Sequence, residues 1–135
     1  MNTAETGNIC VGAVMAALIR VGKVVLLPVD YNCRYDLAID ENGKFVRIQC
    51  KAGKIDGGVI QFNTSSTNRK AGKWEQNGYV GQAEFFGVYC QGNGKTYLVP
   101  VGDVGNREAS LRLSSPKNNQ RQKVRWAEDY EIKPL

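Results

Sequence analysis

Asp36, Gln49 and Lys51 are the residues of this chain whose types and spacing point to chemistry. A carboxylate, an amide carbonyl and an ammonium brought into one small volume could hold a hard divalent cation and act on a phosphate. Magnesium takes oxygen ligands at about 2.0–2.1 Å and keeps several waters, so one carboxylate and one amide oxygen form a sparse but workable protein share. The lysine cannot ligate as an ammonium. Its roles would be to orient or deprotonate an attacking water, or to stabilise charge on the phosphate.

A hairpin must position these three. Tyr35 to Asp40 alternates polar and apolar residues, and Glu41-Asn42-Gly43-Lys44 carries an Asn-Gly pair that favours a tight type I′ turn before a second strand from Phe45 to Lys51. With Asn42 and Gly43 as loop residues, Glu41 faces Lys44, Ile39 faces Val46, Leu37 faces Ile48, and Asp36 falls opposite Gln49. One face then carries Leu37, Ile39, Val46, Ile48 and Cys50; the other carries Asp36, Gln49 and Lys51. Opposed Cβ atoms lie roughly 5 Å apart and diagonal ones roughly 7–8 Å, close enough for convergence. Asp40 shares this face but sits about 14 Å of strand away from Asp36, and reads as a solvating charge at the hairpin end.

Composition excludes several alternatives. The 135 residues contain no histidine, which removes Ser-His-Asp hydrolysis, Cys-His proteolysis and histidine-ligated zinc. Cys10, Cys33, Cys50 and Cys90 are far apart, without a C-x-x-C pair, and Cys50 and Cys90 lie in apolar strands as buried thiols would. Ile9 to Leu27 is apolar but is interrupted by Arg20, Gly22 and Lys23, so it reads as an internal helix and strand. No membrane association is expected, and the location expected is cytoplasmic.

The length suits a single domain over residues 1–135. Hydrophobic periodicity predicts a helix over about Asn8–Val21, with Val11, Val14, Leu18 and Val21 on one stripe and Gly22 behind it, then a strand Val24–Val29. After the hairpin, Ala52–Gly58 reads as a glycine-punctuated link to a strand around Val59–Phe62, and Asn63–Gly81 as a long polar excursion anchored by Trp74 and Tyr79. Strands Phe85–Cys90 and Thr96–Val101 form a second hairpin. A strand at Leu111–Leu113, a polar run Pro116–Arg125 and a closing segment anchored by Trp126 and Tyr130 complete an α+β pattern.

The net charge of +5 is unevenly spread: residues 1–67 carry seven Lys or Arg against six acids, and 68–135 carry eleven against seven. Arg69, Lys70 and Lys73 cluster in the excursion, and Lys117, Arg121 and Lys123 in the polar run beside Asn118, Asn119 and Gln120. Single charges of this kind are ordinary solvated surface, but interleaved with amides they suit a DNA-facing surface of phosphate and base-edge contacts.

Asp36, thirteen residues ahead of Gln49-Cys50-Lys51, resembles the catalytic core of the PD-(D/E)XK nucleases, with glutamine in place of the usual acid. Over Arg34–Leu37, Val46–Lys51, Val59–Ser66, Phe86–Cys90, Tyr97–Val101, Pro116–Gln120 and Arg125–Tyr130 the chain resembles the group I intron-associated, homing-type PD-(D/E)XK endonucleases. The resemblance implies a restriction-endonuclease-like mixed sheet flanked by helices and a Mg²⁺-dependent double-strand DNA endonuclease, with Mn²⁺ as a substitute ion. It also implies Asp36 and Gln49 as metal ligands, Lys51 as the third catalytic residue, and a dimer or tetramer of the chain. One departure stands out. The family places a glutamate on its first helix, four residues after a glycine like Gly7, where this chain has Val11. A catalytically inactive DNA-binding module derived from the same fold is therefore the alternative, with an RNA-binding or structural α+β domain behind it.

Overall fold

The computed structural model describes residues 2–30, 32–70, 72–114 and 124–133, with backbone alone for 67–70 and 73–77. Helix α1 (Thr3–Arg20) starts five residues ahead of the expected boundary. The Asn2 side chain accepts from the Glu5 N–H at 2.8 Å and donates to Glu5 Oε1 at 3.2 Å. This is a capping pair, carried by an Asn-x-x-Glu signal that apolar periodicity alone passes over. At the other end Gly22, at φ +87°, lets its own N–H reach Ile19 O and that of Lys23 reach Leu18 O, a Schellman motif. Cys10, Val14 and Leu18 form the buried line of α1, with Val11 half-buried at its flank and packed on the same core.

Strands β1 (Val24–Leu26), β2 (Leu37–Glu41) and β3 (Lys44–Asp56) run as an antiparallel meander. The β2–β3 register pairs Leu37 with Ile48, Ile39 with Val46 and Glu41 with Lys44, as the turn chemistry predicts. Asn42 at φ +55° and Gly43 at φ +89° make the turn. The expected link at Ala52–Gly58 is instead mostly strand: β3 continues to Asp56 and turns through Gly57 and Gly58 into β4 (Val59–Asn63). Gly53 is no breaker there. A Cβ on it would stand 2.7 Å from Ile60 Cγ2, so the glycine permits close layer packing.

The expected excursion at Asn63–Gly81 also contains strands, β5 (Ser65–Lys70) and β6 (Lys73–Gly78), which pair with each other and leave the main sheet. Their polar sequence lacks the apolar alternation of a half-buried strand because their pairing is mutual. Strands β7 (Phe85–Cys90) and β8 (Lys95–Pro100) lie where expected, with β7 parallel to β3 and antiparallel to β8. Strand β9 (Glu108–Arg112) begins three residues early because it pairs with β4 along its whole length. Residues 115–123, most of the polar run, lie outside the described residues. The closing segment bridges Trp126 to Arg112 and Glu131 to Tyr97.

The seven-stranded sheet thus has two cores. Helix α1 covers one face, joining Cys10, Val14 and Leu18 to Leu37, Ile39, Ile48 and Cys50. Gly87 admits the helix, since a Cβ there would lie 2.7 Å from Val14 Cγ1. On the other face β4 and β9 fold over β7 and β8, burying Ile60, Phe62 and Leu111 with Phe86, Val88 and Tyr97. The architecture is the expected α+β one, a mixed sheet with α1 as the one α-helix among the described residues and strands making up the second layer. No helix among them is long and apolar enough to cross a membrane. Cys10, Cys50 and Cys90 are buried free thiols, and Cys33 is half-buried.

Candidate active site

Asp36 ends the irregular segment that leads into β2, and two hydrogen bonds hold it. Its N–H donates to Ile48 O at 2.9 Å, carrying the β2–β3 ladder one residue past Leu37. Its Oδ2 accepts the Cys50 N–H at 2.9 Å. Burial pushes the Asp36 carboxyl above the usual carboxylate range, against the opposing pull of the Cys50 N–H and the Lys51 charge. Among the described residues this half-buried carboxylate makes no ion pair, and a cation would favour its ionised form. Burial and the nearby Asp36 charge push the Cys10 and Cys50 thiols up as well, so neither supplies a thiolate at neutral pH.

Gln49 is half-exposed, and its Nε2 makes a long 3.5 Å contact to Cys50 O. That contact engages the nitrogen, and among the described residues the carbonyl oxygen has no hydrogen-bond partner. Lys51 reaches in another direction: its Nζ donates to Ser65 O at 3.3 Å and to the Tyr79 hydroxyl at 3.4 Å, and lies 4.8 Å from the Tyr79 ring centre. It makes no ion pair with Asp36. Among the described residues, ion pairs join Lys23 to Glu41, Arg47 to Glu84 and Lys95 to Glu131.

Nearby acids have other duties. Glu84 grips Arg47 through the guanidinium and, to a lesser degree, the backbone N–H, which hold its carboxyl below the usual range and pin the start of β7 to β3. Asp40 accepts the Gly43 N–H at 2.7 Å and closes the hairpin turn. Glu5 caps α1. No cluster of three or more acids or cysteines suited to a metal exists among the described residues. The donors at hand are hard oxygens, one carboxylate and one amide, and the desolvated Asp36 carboxyl fits an oxygen-seeking divalent cation that keeps most of its waters.

The residues around Asp36 and Lys51 include partners that local spacing does not reveal. Arg34 donates to Gln82 Oε1, Ser66 Oγ and Gly78 O, and its guanidinium lies 4.0 Å over the Tyr79 ring. Tyr79 packs edge-on against Phe86 with ring centres 5.6 Å apart. The arginine therefore ties the segment before Asp36 to the base of the β5–β6 hairpin, and the Tyr79 ring is shared by the Arg34 and Lys51 cations. Arg34 lay inside a family-like segment and Tyr79 read as an anchor, but no local spacing links positions so far apart.

Of the expected DNA contacts, Arg69, Lys70 and Lys73 stand at the far end of the β5–β6 hairpin, where Arg69 pairs with Trp74 and Lys70 with Lys73. Lys117, Asn118, Asn119, Gln120, Arg121 and Lys123 lie outside the described residues.

Residues 1–133 match the PD-(D/E)XK endonuclease family, and the chain belongs to it. Among solved structures it is similar to a bacterial homing endonuclease, I-Ssp6803I, with a TM-score of 0.77 and 20% identity over 97% of this chain and 89% of that one. No curated protein matches it.

Proposed function

We propose that this chain is a divalent-metal-dependent endonuclease that cuts both strands of duplex DNA, of the homing type to which its structural neighbour belongs. The observation that carries the reading is the Asp36, Gln49 and Lys51 constellation around the β2–β3 hairpin, within a family of endonucleases. Asp36 and the Gln49 carbonyl would hold Mg²⁺, or Mn²⁺ in its place. When bound, the ion supplies Lewis-acid stabilisation of charge on the phosphate. Lys51 has three N–H donors, of which Ser65 O and the Tyr79 hydroxyl take two. The third serves a phosphoryl oxygen or the attacking water. Cys50 N–H fixes one carboxylate oxygen of Asp36 and leaves the other for the ion.

Val11 packs on the helix core where the family carries a glutamate, so the site has one charge fewer than its relatives and cuts slowly. That same observation favours a second reading, a DNA-binding module that no longer cuts. Plasmid cleavage with Mg²⁺ or Mn²⁺ against EDTA, beside duplex binding in Ca²⁺, separates the two: EDTA-sensitive cutting supports the nuclease, and binding without any cutting supports the module. One site per chain also calls for a symmetric dimer or tetramer to cut two strands in one encounter. Light scattering with DNA present checks this, and a monomer at micromolar concentration counts against double-strand cutting.

A further inference from the structure

Beside Lys51 a polar cleft of about 390 Å³ opens along β3, β4 and β9. Lys51, Ala52 and Lys54 line one wall, and Gln61, Asn63 and Glu108 the other, with Phe62 between. The register makes it one built surface: Lys54 is paired with Gln61, and Asn63 with Glu108, so these four side chains share a sheet face. Lys54, Asn63 and Glu108 are exposed and none of the three is engaged in an ion pair among the described residues.

The two walls differ in chemistry. The β3 wall offers ammonium groups only, and ammonium groups suit phosphates. The β4–β9 wall offers two amides and a carboxylate. A carboxylate repels backbone phosphates but accepts from the amino group of a cytosine, and amides pair with base edges, most favourably adenine.

We propose that this cleft is the subsite for the nucleotides flanking the scissile phosphate, with the DNA backbone along β3 at Lys54 and base edges turned toward Gln61, Asn63 and Glu108. The assignment rests on the nuclease reading above, and it makes Asn63 and Glu108 specificity-determining residues and Lys54 a sequence-blind contact. The experiment is selection from a random-sequence duplex pool in Ca²⁺, which supports binding without cutting, followed by titration of the selected duplexes against salt. Thermal melts of each variant confirm folding, and these surface substitutions leave the cores untouched. Lys54→Ala should weaken all duplexes by the same factor and lower the slope of log K against log salt by about one unit. Glu108→Gln and Asn63→Ala should leave the slope in place and change the selected base at one or two positions, with a preference shift of about tenfold.

A Glu108→Gln protein that binds every duplex more tightly without altering the selected sequence would make Glu108 a mere repulsive charge and overturn the subsite. An unchanged slope in Lys54→Ala does the same. A wild-type protein that binds no duplex removes the nuclease reading and the subsite together, whereas wild-type binding with indifferent cleft variants removes the subsite alone.

Discussion

The Cys50 N–H donates to Asp36 Oδ2 at 2.9 Å, so the residue between Gln49 and Lys51 on β3 fixes the carboxylate proposed to share a site with them. Every position of the Gln-Cys-Lys triplet is thereby used. The outer two turn to the opposite sheet face, and the middle one buries its thiol under α1 while its backbone anchors the carboxylate.

That anchor leaves Asp36 desolvated, with its carboxyl above the ordinary range. A folded-state value above the unfolded one means that the native protein holds the proton more tightly. Stability from this group is complete below the ordinary carboxylate range and is lost as pH rises through the raised value. Asp36→Asn, which can still accept from Cys50, should therefore melt no lower than wild type at neutral pH in EDTA, and its relative advantage should shrink below about pH 4. Saturating Mg²⁺ at a hundredfold over its Kd should add about 2.7 kcal/mol to the wild type and little to the variant. Cleavage should be abolished. Melting curves across pH, with and without Mg²⁺, check this, and an equal Mg²⁺ effect on both proteins would place the ion elsewhere.

Lys51→Ala should lower any cleavage rate by about 10²–10⁴-fold with the fold and DNA binding intact. Tyr79→Phe keeps the ring beneath Arg34 and against Phe86 and removes only the 3.4 Å contact to Lys51. Its expected effect is smaller, about tenfold, on kcat and not on KM. Single-turnover cleavage alongside binding measures both, and wild-type cutting by Lys51→Ala would move the active site off this hairpin.

DNA affinity should fall steeply with salt, by a slope of about 0.9 for each phosphate neutralised. Replacing Lys117, Arg121 and Lys123 together by Ala should reduce that slope by up to about three units. If the slope stays unchanged, the positive surface belongs to the Arg69 to Lys73 end of the β5–β6 hairpin, where the same titration on those variants follows.

Val11→Glu separates a lost ligand from a simple core position. Val11 is half-buried against the core beneath α1, and the neighbouring Cys10 already lies within the field of Asp36. A glutamate directed at the Asp36 site should lower the thermal midpoint in EDTA, recover it in Mg²⁺ and raise cleavage. A midpoint lowered equally in both conditions would show that position 11 serves packing alone.

Local chemistry made much of this protein legible from its residues. An Asn-Gly turn sets the register of the two strands it joins, so the placement of Leu37, Ile39, Val46 and Ile48 on one face followed from residue types within a dozen positions. The Gly22 stop on α1 followed in the same way. Other features depend on contacts between distant segments. Gly53 looks like a breaker until Ile60 is folded onto it, and Ser65–Gly78 looks like a loop until its two halves pair. The Arg34–Tyr79–Lys51 arrangement and the cleft joining Lys51 to Glu108 each unite residues from separate strands and loops. Periodicity and turn signals act over a few residues, whereas these side chains meet only after β3 has bent through two layers of sheet.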